Sequence, residues 1–102
     1  MKPPHGNSHE NFRPHHLYAI DDTEEKNIYK LGVSYKPIGE DGLSSRIRDQ
    51  VNLFNNIVGW VRFVARIIIK GINGKKRAEE IEKEHVEAYL KKYGKKPRGN
   101  RQ

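Results

Sequence analysis

The spacing of apolar side chains changes from one segment of this chain to the next. Between residues 29 and 33 alternate residues are apolar, and a period of two indicates a strand with one buried face. Between residues 43 and 54 apolar residues recur at steps of four, four and three, which is the period of a helix with one buried face. The two periods in one short chain favour a fold in which helices pack against a sheet.

Turn-forming residues divide the chain into five segments. The pattern predicts strands over 16–21, Asn27–Ser34 and 60–69, and helices over about 43–54 and Lys75–Tyr93. The third strand is apolar on much of both faces, so we expect it at the centre of the sheet. The predicted fold is α/β: a small, mostly antiparallel three-stranded sheet flanked by helices, in the order β-β-α-β-α.

Composition limits how this fold is held together. Of the 102 residues, 34% are hydrophobic, which is enough for one modest core. The absence of cysteine excludes a disulfide scaffold, a cysteine zinc site and a cysteine nucleophile. The longest apolar run is interrupted by three basic residues, and no signal peptide is readable, so neither a membrane span nor a secretory signal is expected. Residues 1–14 are expected to be a flexible leader or linker, and residues 15–102 the folded domain.

Positive charge is concentrated in the last third of the chain. The net charge is +7, and residues 70–102 carry eleven basic against five acidic residues. Such a surface favours a polyanion, because neutralising phosphates releases their counterions. The alternative is a solvated basic tail that only keeps the protein soluble.

The second predicted helix carries one carboxylate on its apolar side. Glu82 lies on the stripe formed by Ala78, Val86 and Tyr89, whereas Glu84 belongs to a separate, fully charged face.

Arg46 and Gln50 share a stripe of the first predicted helix with Leu53 and Ile57. We therefore expect both polar residues to lie beside the buried face. Arg48, two positions after Arg46, is expected to point toward water.

A charge on an apolar stripe is unfavourable unless it is paired or coordinated. One interpretation is a partly buried salt bridge between Arg46 and Glu82, or side chains that reach out from the rim to water. The other is a functional site. Tyr18 and Tyr29 also have two interpretations, as core residues or as residues of a site, and single tyrosines belong to a core more often.

Five short motifs follow one another along the chain. They are His16-Leu17-Tyr18, Tyr29-Lys30-Leu31-Gly32, Arg46 at the start of a helix, Ala78-Glu79-Glu80-Ile81-Glu82, and Pro97-Arg98-Gly99-Asn100. In this order, and with a β-β-α-β-α core, they resemble the GIY-YIG nuclease superfamily. The chain departs from the family pattern at His16, where a glycine is expected, and at Gln50, where a histidine is often found.

The resemblance implies phosphodiester hydrolysis with one divalent ion, Mg²⁺ or Mn²⁺, held by Glu82. A single carboxylate completed by waters and phosphate suits Mg²⁺, which gives up its waters reluctantly. By the same resemblance, Tyr18 activates water or binds phosphate, and Tyr29 is the general base or its relay. Arg46 holds the scissile phosphate, and Asn100 orients the end of the site.

Further residues are candidates for binding the substrate. His16, Lys30 and Gln50 lie in or next to the motifs. Lys95 and Lys96 precede the last motif in the basic segment, where they could follow a phosphate backbone.

The particular form of these motifs in this chain resembles the nuclease domains of bacterial polymorphic toxins. Those domains form the C-terminal ends of large secreted or contact-delivered proteins. The resemblance implies delivery into the cytoplasm of a target bacterium as part of a larger protein. It also implies a DNA substrate, with RNA left open, no membrane partner, and an acidic immunity protein as partner. The alternative is a catalytically inert basic module that binds nucleic acid on the same fold.

Overall fold

The chain folds into five elements in the predicted order. In a computed structural model, which describes residues 13–100, they are β1 (Pro14–Asp22), β2 (Asn27–Ser34), α1 (Ser45–Val58), β3 (Phe63–Asn73) and α2 (Lys75–Tyr93). The strands form one antiparallel sheet with the order β2-β1-β3. The α/β fold class predicted from the sequence is confirmed.

The structure describes little of the expected leader, and it bears on the expectation about membrane spans. Of the expected leader, 1–14, all but Arg13 and Pro14 lies outside the described residues, and Pro14 already begins β1. Between residues 13 and 100, no helix is long and apolar enough to cross a membrane.

The central strand of the sheet is β1. Leu17, Ala19 and Ile20 have no exposed surface, as expected for a strand with neighbours on both edges and a helix on each face. In the described sheet β3 pairs with β1 along one edge only, so the prediction of a central third strand was wrong. The strand is apolar on both faces because α1 covers one face of the sheet and α2 covers the other.

Two small apolar clusters hold the helices to the sheet. Ile47 of α1 packs with Tyr18 and Ile20 of β1, whereas Ala78 of α2 packs with Leu17 of the same strand. Successive strand residues point to opposite faces, so β1 contributes alternately to the two clusters. Tyr18 is therefore a core residue on the α1 face.

The strand β3 begins at Phe63, three residues later than predicted, because the connection from α1 is longer. Gly59 ends α1 in the left-handed conformation, with φ at 83°. The side-chain oxygen of Asn55 then accepts the N–H groups of Arg62 and Phe63, at 3.0 and 2.7 Å. The chain is held in a loop up to Phe63, and Trp60 stays 49% exposed instead of entering the strand.

The stripe of α1 formed by Arg46, Gln50, Leu53 and Ile57 is mostly exposed to solvent. Leu53 and Ile57 are 55% and 73% exposed, and Arg46 itself is exposed. Only Gln50 on this stripe is half-buried. The prediction that the stripe lies beside the buried face was therefore wrong for three of its four residues, because α1 packs through a neighbouring line that contains the fully buried Ile47.

A buried carboxylate ties three distant parts of the chain together. The side chain of Asp22 accepts two hydrogen bonds from Arg62, at 2.9 and 2.8 Å, one from Arg98, and one each from the backbone N–H groups of Glu24 and Glu25. The Arg62 guanidinium holds the pKa of Asp22 well below its usual range, against the opposing effect of burial. The hairpin, the start of β3 and the segment after α2 meet at this group.

Candidate active site

The outer edge of β2 borders an open cavity of about 750 Å³. Its walls come from β2, the start of α1, the first half of α2 and the segment after α2. The lining residues are Tyr18, Lys30, Leu31, Gly32, Val33, Arg46, Lys76, Glu79, Glu80, Glu82, Lys83, Gly99 and Asn100. Four of them are cationic and three are carboxylates, so the cavity can hold an anion beside a cation.

Tyr18 crosses from the central strand onto Gly32 of β2. The two residues are paired across the strands, and a Cβ atom at Gly32 would lie 2.5 Å from Cζ and Oη of the tyrosine. No side chain fits there without displacing the ring. The glycine of the Tyr-Lys-Leu-Gly motif therefore leaves room for Tyr18, whose ring is 1% exposed.

Gln50 of α1 links two other candidate residues. Lys30 Nζ donates to Gln50 Oε1 at 2.8 Å, and Gln50 Nε2 donates to the Tyr18 hydroxyl at 2.9 Å. The amide thus joins both strands that carry the tyrosine and lysine motifs.

The surroundings of Tyr18 and Lys30 alter both proton affinities. Burial raises the pKa of Tyr18, and Glu82 adds to this, while the Gln50 hydrogen bond and Arg46 act in the opposite direction. Burial lowers the pKa of Lys30, with Arg46 adding to the effect and Glu82 opposing it. For both groups, partial withdrawal from water is the largest cause of the shift.

Glu82 lies on the packed side of α2, as the helical pattern predicted, and it lines the cavity. It is half-buried, whereas Glu80 and Glu84 are exposed and pair with Arg77. Among residues 13–100, Glu82 has no hydrogen-bond or ion-pair partner. Burial raises its pKa, and the charge of Glu79 raises it further, while Lys30 opposes the shift.

Arg46 reaches the same cavity from the other helix. It is exposed at the start of α1 and lines the cavity with Tyr18 and Glu82. The described ion pairs do not include one between Arg46 and Glu82, so the salt-bridge interpretation is not supported. Arg48 points away, as predicted, and is bound to Asp41 at 2.8 Å.

Asn100 completes the free edge of β2. Its side-chain oxygen accepts the N–H of Leu31 at 2.7 Å, and its amide nitrogen donates to the carbonyl of Leu31 at 2.8 Å. The N–H of Gly99 donates to the carbonyl of Tyr29 at 2.7 Å. The last described residues therefore lie along β2 in the manner of an added strand, and they close one side of the cavity.

The structure does not bring Tyr29 to the cavity. Its ring packs edge-on against Phe54 and Phe63, with centroid distances of 5.3 and 5.0 Å, and Arg98 lies over its face at 5.2 Å. A Cβ atom at Gly99 would lie 2.8 Å from this ring, so Tyr29 supports the added segment from behind. This surrounding fits a core tyrosine.

The other three substrate-binding candidates are spread out. His16 is 4% exposed, does not line the cavity, and its Nε2 atom has no partner among the described residues. Burial lowers its pKa, and the charges of His15 and Lys70 lower it further. Lys96 lines an adjoining groove of about 470 Å³ that also contacts Glu82, whereas Lys95 is exposed outside both spaces.

The described residues suit a metal ion held by one protein carboxylate. Between residues 13 and 100, no cluster of three or more metal-binding side chains is assembled. A half-buried Glu82 carboxylate without a hydrogen-bond partner among the described residues is nevertheless unfavourable by itself. A divalent cation bound there through Glu82, water and phosphate would relieve this cost.

The sequence matches one known protein family over most of its length. The model of one family, URI fold toxin 2, matches residues 8–94. The chain belongs to the URI fold toxin 2 family. No curated protein and no solved structure matches it.

The family assigns the chain to toxin domains of the polymorphic kind, on a fold that is nuclease-like. The matched part of this URI fold toxin spans all five elements and ends before Asn100. It therefore contains the residues of α1 and α2 that face the cavity, but not the segment that closes the edge of β2.

Some residues of the toxin's cavity were not predicted from the sequence. Lys76 and Lys83 line it together with Glu79. Lys76 lies three positions before Glu79, and Glu79 lies three before Glu82 and four before Lys83, so these steps could have placed the residues on one side of α2. Gly32 and Gly99 belong to the predicted motifs. Their steric role depends on where the rings of Tyr18 and Tyr29 lie, which no local sequence pattern encodes.

Proposed function

We propose that this URI fold toxin is a metal-dependent endonuclease of the GIY-YIG type that hydrolyses phosphodiester bonds in DNA. The observation that carries the proposal is the unpaired carboxylate of Glu82 in a cavity shared with Arg46, Lys30 and Tyr18. Cations at such a site attract a phosphate, and a carboxylate repels it unless a metal ion lies between them. An inert binding module has no use for that carboxylate.

Four charged residues of the cavity have roles that their chemistry permits. Arg46 carries a permanent charge and paired donors, and it holds the scissile phosphate. Lys30 and Lys83 add positive charge on the two sides of the cavity. Glu82 would hold Mg²⁺ or Mn²⁺, which when bound supplies charge neutralisation and an activated water.

Tyr18 and Tyr29 have separate roles in this proposal. Tyr18 borders the cavity and is the tyrosine that meets the substrate. Tyr29 lies in an aromatic cluster and supports the added segment that contains Asn100. We therefore remove Tyr29 from the reacting groups and keep Asn100 as the residue that positions the edge of β2.

The toxin family supports two further proposals about the biological setting. The domain is delivered into the cytoplasm of a target bacterium as part of a larger protein. Its partner in the producing cell is an acidic immunity protein, because the net charge of +7 favours an acidic surface.

Plasmid nicking with and without EDTA tests the activity. We expect nicking in Mg²⁺, none in EDTA, and none for Glu82→Gln, while Glu84→Gln retains activity because that carboxylate is exposed and outside the cavity. A folded wild-type protein that binds DNA without cutting it would identify the inert module. Cleavage of RNA alone under the same conditions would change the substrate and not the reaction class.

Thermal unfolding gives a second measurement on the same variants. Because its pKa is raised, the ionised Glu82 carboxylate destabilises the metal-free fold above its ordinary pKa of 4.5. In EDTA at neutral pH, Glu82→Gln should therefore unfold at a higher temperature than the wild type. Mg²⁺ should raise the Tm of the wild type and of Glu84→Gln, but not that of Glu82→Gln.

A further inference from the structure

The amide of Gln50 lies between two groups of different hydrogen-bonding character. Lys30 Nζ is 2.8 Å from one end of the amide, and the Tyr18 hydroxyl is 2.9 Å from the other. The three residues come from β2, α1 and β1, so the link depends on the packing of the whole α1 face.

The ammonium group determines which way the amide faces. Lys30 can donate hydrogen bonds but cannot accept one, so the atom of Gln50 that faces it must be the oxygen. The NH₂ group of Gln50 then faces Tyr18 and donates to the hydroxyl oxygen. The reverse orientation would bring two donors together at Lys30.

The proton of the Tyr18 hydroxyl therefore does not point toward Gln50. Its oxygen accepts from Gln50, and its own proton has no acceptor among residues 13–100. The ring lies against Gly32, and Tyr18 is buried in the core on the α1 face. The remaining direction for the hydroxyl proton is the cavity that Tyr18 lines.

We propose that Gln50 is a positioning residue that makes the Tyr18 hydroxyl a hydrogen-bond donor toward a phosphate oxygen of the substrate. The proposal rests on the phosphodiester substrate of the proposed function. Phosphate oxygens only accept hydrogen bonds, so a hydroxyl whose proton is free can bind them, whereas a hydroxyl whose proton is already donated to another group cannot. Of the two roles expected for Tyr18, this polarity selects phosphate binding over the activation of water.

Reversing the polarity of the link tests the proposal. In Gln50→Glu, a carboxylate faces both Lys30 and Tyr18, and a carboxylate can only accept, so the tyrosine must donate to it. Asn52→Asp is the matched control, because it adds the same charge to an exposed position of α1. The probe is a fluorescent oligothymidylate in EDTA, whose affinity is measured without cleavage.

We expect Gln50→Glu to weaken binding about tenfold more than Asn52→Asp, which corresponds to one hydrogen bond to a charged group. In a Tyr18→Phe background, which has no hydroxyl to redirect, the two substitutions should weaken binding equally. Gln50→Met should fall between the wild type and Gln50→Glu, because it frees the hydroxyl without capturing its proton.

Two results would overturn the proposal. One is equal binding by Gln50→Glu and Asn52→Asp in the wild-type background, and the other is an extra loss for Gln50→Glu that persists in Tyr18→Phe. Should Gln50→Glu not fold, the test passes to Gln50→Met, whose loss must then disappear in Tyr18→Phe. Because these affinities need no catalysis, a protein with the expected coupling but no nicking activity would contradict the proposed nuclease and not the role of Gln50.

Discussion

Two arginines of α1, Arg46 and Arg48, differ in their surroundings. Arg46 lines the cavity, and the described ion pairs include none that it makes. Arg48 is exposed and bound to Asp41, on the side away from the cavity. The pair therefore offers a matched comparison on one helix.

Arg46→Ala should lower the rate of DNA cleavage by about a hundredfold or more, the usual effect of removing a preorganised charge at a transition state. The Tm should change little, because the residue is exposed. Arg46→Lys should recover part of the rate, since it keeps the charge and loses the planar donor pair. Arg48→Ala should keep the rate; a lower Tm with full specific activity for Arg46→Ala would contradict a role in the site.

The buried His16 predicts how the stability of the fold depends on pH. It is buried beside Lys70 and His15, and its pKa lies below the ordinary value of 6.5. Between those two values the unfolded chain binds a proton that the folded chain does not, so stability falls as the pH falls below about 6.5. His16→Gln should show a smaller loss over that range in urea unfolding, and identical slopes for both proteins would contradict the assignment.

At the scale of elements, the sequence was most informative about helix faces. The period of α2 placed Glu82 toward the sheet and Glu84 toward water, and the structure agrees. For α1 the same reasoning identified the line through Ile47 but misplaced the neighbouring stripe, because the width of a buried face depends on what the helix packs against.

The errors concerning strands have a different origin. An apolar pattern on both faces predicted a central position for β3, yet helices on both faces of a sheet produce that pattern at an edge as well. The late start of β3 depends on the side chain of Asn55 from the preceding helix, a contact without a local signature. The link among Tyr18, Gln50 and Lys30 likewise joins residues far apart in sequence.

The added segment along β2 leads to a prediction at this scale. Asn100→Ala removes both hydrogen bonds to Leu31 and should lower the free energy of unfolding by about 1–3 kcal/mol. Hydrogen exchange at the Leu31 amide should accelerate, because its partner is the lost side chain. Asn56→Ala, at an exposed position of α1, is the control and should change neither quantity.

At the scale of the whole molecule, the excess positive charge predicts binding that depends strongly on salt. Each phosphate contact contributes about 0.9 to the slope of log affinity against log salt. Replacing Lys95 and Lys96 together by glutamine should lower that slope by up to about 1.8, and we expect the larger share from Lys96, which lines the groove next to Glu82. Affinities in EDTA over a range of salt concentrations measure it, and an unchanged slope would show that neither lysine meets the substrate.

The pairing of Leu31 with Asn100 spans 69 positions of the chain, and that of Asp22 with Arg98 spans 76. Domains generally fold as units during synthesis, once the residues that they need have left the ribosome. A nascent chain that has emerged through α2 holds Tyr18, Arg46 and Glu82, yet the outer edge of β2 is still open. The segment 97–100 must therefore leave the ribosome before the edge of β2 is closed and the cavity acquires its last wall.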